Sequence, residues 1–173
     1  LDHLLAAIAR LTATGRQLRL ILAGGGDLEK ALRERADASG AAPFVTFAGT
    51  VPHHEIPQLL AGADIVAVPS IRDDDGNVDG LPNVVLEALV SGTAVVATPA
   101  GGIAQVVTDG RTGLLVPERD AGALAAALAR LLDDPAERQA LGNRARRETS
   151  ARFGWDAAAA RFEAAYEGAS RGR

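Results

Sequence analysis

The stretch VPSIRDDDGNVDGLPNVVLEALVSGTAVVATPAGG, residues 68–102, decides the fold class. It leads from an apolar strand through an acidic loop into a helix, and a second apolar strand follows that helix at once. The same alternation runs along the chain, and we predict strands at residues 18–24, 44–48, 64–70, 93–99 and 113–117. We predict helices at 1–14, 27–39, 54–63, 81–92, 120–134, 135–153 and 155–168, with one or two helical turns within 101–110. Apolar strands alternating with helices predict an α/β fold, a doubly wound parallel sheet covered on both faces.

The composition limits the classes of function. A length of 173 residues fits one domain, and an apolar share of 47% is enough for a buried core. The net charge of −4 argues against nucleic acid as a partner, because phosphate binding requires a basic surface. The chain has no cysteine, which excludes disulfides and thiolate metal sites and suits a cytoplasmic protein. No apolar run is long enough to span a bilayer.

The first residues indicate a fragment of a longer protein. The chain has no methionine and starts with LDHLLAAIARL, already inside an amphipathic helix. We therefore expect that a preceding segment is absent from this sequence.

A ligand site is expected at the carboxyl ends of the strands, where such sheets bind ligands. The helix after DGLP begins there, and its first backbone N–H groups have no partner within the helix. Gly80 allows close approach of a ligand and Pro82 fixes the entry into the helix. The amides of Leu81, Asn83 and Val84 are candidates for holding a diphosphate.

Two carboxylates flank this helix N-terminus. Glu87 lies little more than one turn into the helix, and a carboxylate there can accept two hydrogen bonds from the vicinal hydroxyls of a ribose. From the helix alone, a solvated surface residue is the favoured interpretation. Asp79, just before the helix, can bind sugar hydroxyls or stabilise a developing oxocarbenium ion. An ordinary Asp-Gly turn is the alternative at that position.

The other candidate motifs are weaker. GGGD, residues 24–27, follows a strand, but it is neither a GxGxxG fingerprint nor a P-loop. Asp27 is expected to cap the helix at 27–39. Gly101 and Gly102 offer backbone donors before a short helix, and a simple turn explains them equally well. The string DDDGNVDG resembles a calcium loop but lacks the final bidentate acid, so an exposed loop is favoured. We expect no metal site, because adjacent histidines such as His53 and its neighbour seldom converge on one ion.

The order of these motifs carries more information than any one of them. The segments LDHLLAAIARL, LILAGGGDLEKAL, VTFAGTV, ADIVAVPS and DGLPNVVLEALVSGTAVVATPAGGIAQVV resemble the C-terminal domain of group 1 (family 4) retaining GT-B glycosyltransferases. The resemblance covers essentially the whole chain. That family has two acids separated by seven residues, and Asp79 and Glu87 have this spacing. The first acid is usually Glu in the family, so the reach of Asp79 is shorter.

The resemblance implies a domain organisation. Residues 1–173 would form the nucleotide-sugar donor-binding domain, the Rossmann-like C-terminal half of a GT-B fold, with 152–173 as a C-terminal crossing helix and tail. The first strand of this half would be absent, and its neighbours would be the strands at 18–24 and 64–70. The N-terminal acceptor domain would be absent as well, so we expect the fragment to be inactive alone.

The resemblance also implies roles for individual residues. Asp79 would contact the donor sugar and Glu87 the ribose. The diphosphate and ribose would be wrapped by Gly80, Leu81, Pro82, Asn83 and Val84. Val51 would lie against the nucleobase with Pro52 and His53 beside it, and the cleft would be lined by Gly25, Gly101 and Gly102.

The implied activity is that of a glycosyltransferase of the hexosyltransferase type. It would move a sugar from a nucleoside-diphosphate sugar to a glycan or lipid-linked acceptor in polysaccharide or glycolipid biosynthesis, with no cofactor and no metal. The intact enzyme would be cytoplasmic, with peripheral association at the inner face of the plasma membrane. The alternatives are a GT-B sugar-nucleotide epimerase, a non-catalytic nucleotide-binding module and a flavodoxin-like interaction domain.

Overall fold

The computed structural model describes residues 1–78 and 80–171, with side chains as far as residue 167. The strands are β1 (Leu20–Ala23), β2 (Val45–Gly49), β3 (Ile65–Val68), β4 (Ala94–Ala97) and β5 (Leu114–Leu115). The helices are α1 (Asp2–Ala13), α2 (Glu29–Ser39), α3 (Ile56–Ala61), α4 (Asn83–Ser91), α5 (Ile103–Val106), α6 (Ala121–Asp133), α7 (Pro135–Phe153) and α8 (Trp155–Arg171). Short 3-10 turns cover Ala42–Phe44 and His53–Glu55.

The strands form two parallel sheets. β1 pairs with β2, with Leu20 opposite Val45, and the second sheet has the order β3-β4-β5, with Ile65 opposite Ala94. This confirms the predicted α/β class with a parallel sheet. Within the described ranges no strand of the first sheet pairs with a strand of the second, a break that we call the sheet interruption. β1 and β3 are the two strands predicted to flank an absent strand.

Burial of the strands follows this interruption. β4 lies between two partners and is buried along its whole length, whereas β1 alternates between half-buried and exposed residues. Ile21 of β1 is 36% exposed, and in β3 only Val68 is fully buried. The predicted strands at 18–24 and 64–70 are therefore present, but they are less buried than predicted. The reason is that each strand has one edge without a partner in the described part of the chain.

Helices cover both faces of β4. Because side chains alternate across a strand, Ala94 and Val96 point to one face and Val95 and Ala97 to the other. The first pair packs with residues of α1 and α6 in one buried cluster. The second pair packs with residues of α4 and α5 in a second cluster, which α7 joins through Ala145. The two faces of β4 are thus covered by two separate buried clusters. This is the doubly wound arrangement predicted from residues 68–102.

Helix α7 approaches α4 more closely than expected for a surface helix. Its buried residues Leu141, Gly142, Ala145 and Thr149 form a line along one side. Gly92 closes α4 in the left-handed conformation, with φ of 79°, and Gly142 packs directly on it. A side-chain carbon at position 142 would lie 2.0 Å from the Gly92 carbonyl oxygen. The contact is possible only because residue 142 has no side chain.

The start of α7 allows a test of local stability. The Asp134 carboxylate accepts a hydrogen bond of 2.9 Å from the Glu137 backbone N–H. We expect Asp134→Ala to lower the free energy of unfolding by about 1 kcal/mol, because one N–H of the first turn loses its partner. Urea denaturation followed by circular dichroism measures the change. Asp134→Asn keeps the acceptor and should retain most of the stability; equal losses in both variants would contradict the capping role.

Helix α8 has a largely exposed aromatic side. Trp155 is 91% exposed, Phe162 68% and Tyr166 74%, and the main neighbour of the helix is α7. The predicted crossing segment, 152–173, includes this helix, and its last two residues lie outside the described residues. Of the helices that the structure describes, none combines the length and apolar character needed to cross a membrane.

Candidate functional site

Four loops leave the carboxyl ends of the strands and contain most of the predicted site residues. They follow β1, β2, β3 and β4 and include the described residues 24–26, 50–52, 69–78 with 80–82, and 98–102. Because the strands are parallel within each sheet, the loops of one sheet lie on one edge. The four loops meet as two pairs, one at each sheet.

The first pair joins the loops after β1 and β2. The Gly24 N–H donates a 2.7 Å hydrogen bond to the Gly49 carbonyl. A side-chain carbon at Gly25 would lie 3.4 Å from Thr50 Oγ1, so Gly25 adjoins the segment that continues into Val51. Val51 is half-buried, whereas Pro52 and His53 are exposed. The predicted nucleobase residues therefore lie together at the end of the two-stranded sheet.

The second pair joins the loops after β3 and β4. The Gly102 N–H donates to the Gly80 carbonyl, and a side-chain carbon at 102 would lie 3.1 Å from both Gly80 O and Leu81 Cβ. Thr98 Oγ1 donates to the Ser70 carbonyl and holds the ends of β3 and β4 together. The structure thus brings the predicted segments 80–84 and 101–102 into contact.

Helix α4 begins within this second pair. Asn83 is its first residue, and Pro82 before it provides no side-chain cap. In the described part of the chain, the N–H groups of Leu81, Asn83 and Val84 donate no hydrogen bond, while Val85 donates to the Pro82 carbonyl. The side-chain direction at Gly80 faces open space. Amides without an acceptor among the described residues, at the positive end of a helix dipole and beside open space, suit an anionic ligand.

Glu87 lies one turn further along α4. Val85, Ala88 and Leu89 bury the helix against its neighbours, and Glu87 is half-buried between these positions and solvent. Its carboxylate makes no hydrogen bond and no ion pair with any described residue. A half-buried carboxylate without a protein partner is available to donors of a ligand. Asp79, the predicted catalytic acid, lies outside the described residues.

The acidic loop before α4 is an ordered turn. The Asp73 carboxylate accepts hydrogen bonds from the side-chain amide of Asn77 at 3.0 Å and from its backbone N–H at 2.7 Å. These bonds hold the pKa of Asp73 below its ordinary value, with the side-chain bond from Asn77 as the largest cause. The Arg72 guanidinium donates to the Gly76 carbonyl at 2.9 Å. In the ranges described, no three acidic or histidine side chains cluster as metal ligands do.

Two residues outside the predicted set hold this loop. Glu118 Oε2 accepts a 2.7 Å bond from the Arg72 N–H, and Arg119 Nη2 donates to the Arg72 carbonyl and to Asp74 Oδ1, both at 2.8 Å. Arg119 has φ of 61°, and among the described residues it alone is a non-glycine in the left-handed region. That conformation costs roughly 1–2 kcal/mol. Neither residue was predicted from the sequence, because Pro-Glu-Arg-Asp before a helix resembles an ordinary capping segment.

The two pairs of loops belong to the two separate sheets. No hydrogen bond between described residues joins 24–26 or 49–53 to 80–84 or 101–102. One pair offers an apolar and backbone surface. The other offers amides and a carboxylate that have no partner among the described residues. A ligand with an apolar part, an anionic part and hydrogen-bond donors suits both.

Comparisons with known proteins show the family of the chain. Residues 1–148 match the model of the family described as "Glycosyl transferases group 1". The chain is 35% identical over 162 residues to the GDP-mannose-dependent alpha-(1-6)-phosphatidylinositol monomannoside mannosyltransferase of Mycobacterium tuberculosis, covering 93% of this chain and 42% of the relative. It is 38% identical over 171 residues to the D-inositol 3-phosphate glycosyltransferase of Corynebacterium diphtheriae, covering 95% of this chain and 38% of the relative.

A solved structure shares the fold. Anabaena Alr3699/HepE in complex with UDP-glucose superposes with a TM-score of 0.74 at 27% identity, covering 87% of this chain and 40% of that one. The chain therefore spans about two fifths of the length of each of these three proteins.

Proposed function

This chain belongs to the group 1 glycosyl transferase family, and on that premise we propose that it is the donor-binding half of a retaining family 4 GT-B enzyme. The intact enzyme transfers a sugar from a nucleoside-diphosphate sugar to a glycan or lipid-linked acceptor, without a metal ion. The acceptor site belongs to an N-terminal domain of the longer protein. The chain described here is inactive alone and is able to bind the donor.

The observation that carries this proposal is the partial burial of Glu87 together with its lack of a hydrogen-bond partner among the described residues. A half-buried carboxylate one turn inside α4, with no hydrogen bond to the described protein, suits the paired hydroxyls of a ribose. The amides of Asn83 and Val84, which have no hydrogen bond to a described residue, lie about 6 Å and about 4.5 Å nearer the helix start, given a rise of 1.5 Å per residue, and Leu81 precedes the helix. That separation fits a ribose joined to a diphosphate.

The two loop pairs support a nucleotide that bridges the sheet interruption. The diphosphate lies at α4, and the base lies against Val51, with Pro52, His53 and Gly25 around it. Gly101 and Gly102 border the cleft beside the diphosphate. The mannosyltransferase relative is named as GDP-mannose-dependent and the Anabaena structure contains UDP-glucose. We assign a nucleoside diphosphate to this chain and leave its base to the experiment below.

The chemical roles follow from charge. In transfer, the bond between the sugar and the diphosphate breaks and negative charge develops on the leaving oxygen. The amides at the start of α4 stabilise that charge because they are fixed before the reaction. Asp79 contacts the sugar and stabilises positive charge at its reacting carbon. The rest of the rate enhancement is positioning of donor and acceptor.

The decisive experiment is ligand-observed NMR of this chain with UDP, GDP and ADP in turn. We expect weak binding of one of them, and we expect Glu87→Ala to reduce its affinity at least about 10-fold, because two hydrogen bonds to a charged group are lost. Glu34→Ala, which removes an exposed carboxylate of α2, is the matched control and should leave binding unchanged. Binding that survives Glu87→Ala would contradict the ribose assignment.

The proposal also covers the location of the intact protein and the contacts between its domains. The exposed aromatic side of α8 supports the proposal that 152–173 crosses to the N-terminal domain. We further propose that the enzyme works in polysaccharide or glycolipid biosynthesis in the cytoplasm, peripherally associated with the inner face of the plasma membrane. Product analysis with the longer protein separates sugar transfer from epimerisation of the donor.

A further inference from the structure

We propose that Glu118 and Arg119 are positioning residues that clamp the acidic loop, Arg72–Asn77, and thereby set the chain segment that enters α4. The contacts of the clamp lie within this chain and involve no ligand. Its effect on donor binding rests on the proposed function, and the experiment below separates the two.

The contacts of the clamp hold the backbone as well as a side chain. Both backbone polar groups of Arg72 are hydrogen-bonded: its N–H donates to Glu118 Oε2, and its carbonyl accepts from Arg119. The same guanidinium nitrogen of Arg119 reaches Asp74. One segment after β5 thus fixes three groups in the loop after β3. A surface ion pair by itself contributes little, but bonds to the backbone restrict the path of the loop directly.

Backbone strain at Arg119 supports a specific role for its side chain. A φ of 61° is costly for arginine and relaxed for glycine. The guanidinium contacts offset this cost only while the acidic loop is in place. The clamp and the loop therefore stabilise each other's conformation.

The loop is directly connected to the candidate donor site. Asn77 is three residues before Gly80, which shortly precedes α4. The Gly80 carbonyl accepts a hydrogen bond from the Gly102 N–H. If the loop shifts, Gly80 loses its fixed position against Gly102. The free amides of Leu81 and Val84 then lose the geometry that a diphosphate requires.

Charge provides a second reason for the clamp. The described part of the loop contains Asp73, Asp74 and Asp75 immediately before an anion-binding helix terminus. Asn77 holds the carboxylate of Asp73, and Arg119 pairs with Asp74. Without Arg119, an additional unpaired negative charge moves freely near the diphosphate and repels it. Salt screens this repulsion, so the effect on binding is larger at low ionic strength.

The test uses Arg119→Gly, which accepts the positive φ without strain but has no guanidinium. Hydrogen exchange is measured by NMR at the amides of Arg72, Asp73 and Asn77, and at the hydrogen-bonded amides of Val85 and Gly102. We expect at least about 10-fold faster exchange in the loop, a smaller increase at Val85 and Gly102, and a urea midpoint equal to wild type or above it. Arg119→Lys should restore part of the protection. Arg35→Ala, which breaks a surface ion pair with Asp2 elsewhere, should change neither segment.

Exchange results decide the clamp without any ligand. Unchanged exchange at Arg72 and Asn77 in Arg119→Gly overturns it. Faster exchange confined to the loop, with Val85 and Gly102 as in wild type, overturns the link from the loop to the start of α4. A urea midpoint that falls in step with exchange throughout the chain overturns it too, because the role of Arg119 is then general stability.

A second arm measures the affinity for whichever of UDP, GDP or ADP binds the wild type. We expect Arg119→Gly to weaken binding several-fold at about 20 mM salt and less at about 500 mM, with Arg119→Lys in between. Equal affinity of wild type and Arg119→Gly, with a loosened loop, overturns the link to the donor site. Binding of none of the three by the wild type contradicts the proposed function, and the exchange arm then still decides the clamp.

Discussion

A Gly142→Ala variant is expected to lose about 3 kcal/mol or more of unfolding free energy, a large part of the stability of a domain this size. Alanine in a helix normally stabilises by up to about 1 kcal/mol relative to glycine. The sign reverses at this position because the new methyl group would lie 2.0 Å from the Gly92 carbonyl oxygen and 2.9 Å from its carbon. Both atoms belong to the backbone, so α7 and the end of α4 have to separate.

Urea denaturation followed by far-ultraviolet circular dichroism measures this loss. Asn143→Ala is the matched control, since residue 143 is the exposed neighbour on the same helix and gains a few tenths of a kcal/mol from helix propensity. A Gly142→Ala protein as stable as wild type would show that α7 lies further from Gly92 than described.

Substitutions at Gly102 are expected to weaken donor binding while the chain stays folded. A side-chain carbon there would lie 3.1 Å from Gly80 O and Leu81 Cβ, which is tighter than ordinary contact. The loop before α4 then moves away, and the amide of Leu81 moves with it. We expect Gly102→Ala to weaken nucleoside-diphosphate binding about 10-fold, equivalent to about 1.4 kcal/mol, and Gly102→Val to weaken it further.

The affinities are measured by titration with the diphosphate that binds the wild type. Ala104→Val adds similar bulk at an exposed position of α5 and should bind like the wild type. An affinity independent of side-chain size at 102 would mean that the contact between the two glycine loops does not shape the donor site.

The fold class was predictable because of how β4 is built. Four consecutive small or branched apolar residues, Ala94–Ala97, are buried on both faces, and that pattern is typical of a central parallel strand. β1 has an equally apolar sequence, but it is half-exposed because burial depends on the neighbouring strand, which local sequence does not specify. An apolar run thus predicts a strand but not how many partners it has.

Some features of the candidate site were likewise predictable from the sequence, and others were not. Glu87 was predicted as a site residue from its spacing in the α4 motif, whereas its lack of a partner among the described residues depends on everything packed around it. The cap predicted at Asp27 is wrong: α2 begins at Glu29, and the Glu29 N–H bonds to the Gly26 carbonyl instead of to a side chain. Arg119 was missed because its contacts lie 45 and 47 residues away in the sequence. Long-range contacts and strained backbone leave no local pattern.

The exposed aromatic side of α8 has a consequence for spectroscopy. The chain has one tryptophan, Trp155, and it is 91% exposed at the junction of α7 and α8. Its indole is already in water in the folded chain, so unfolding changes its emission wavelength little. Intrinsic fluorescence is therefore a poor measure of the stability of this core. It is instead a selective reporter for anything that covers α8, because docking of a partner there would shift the emission to the blue.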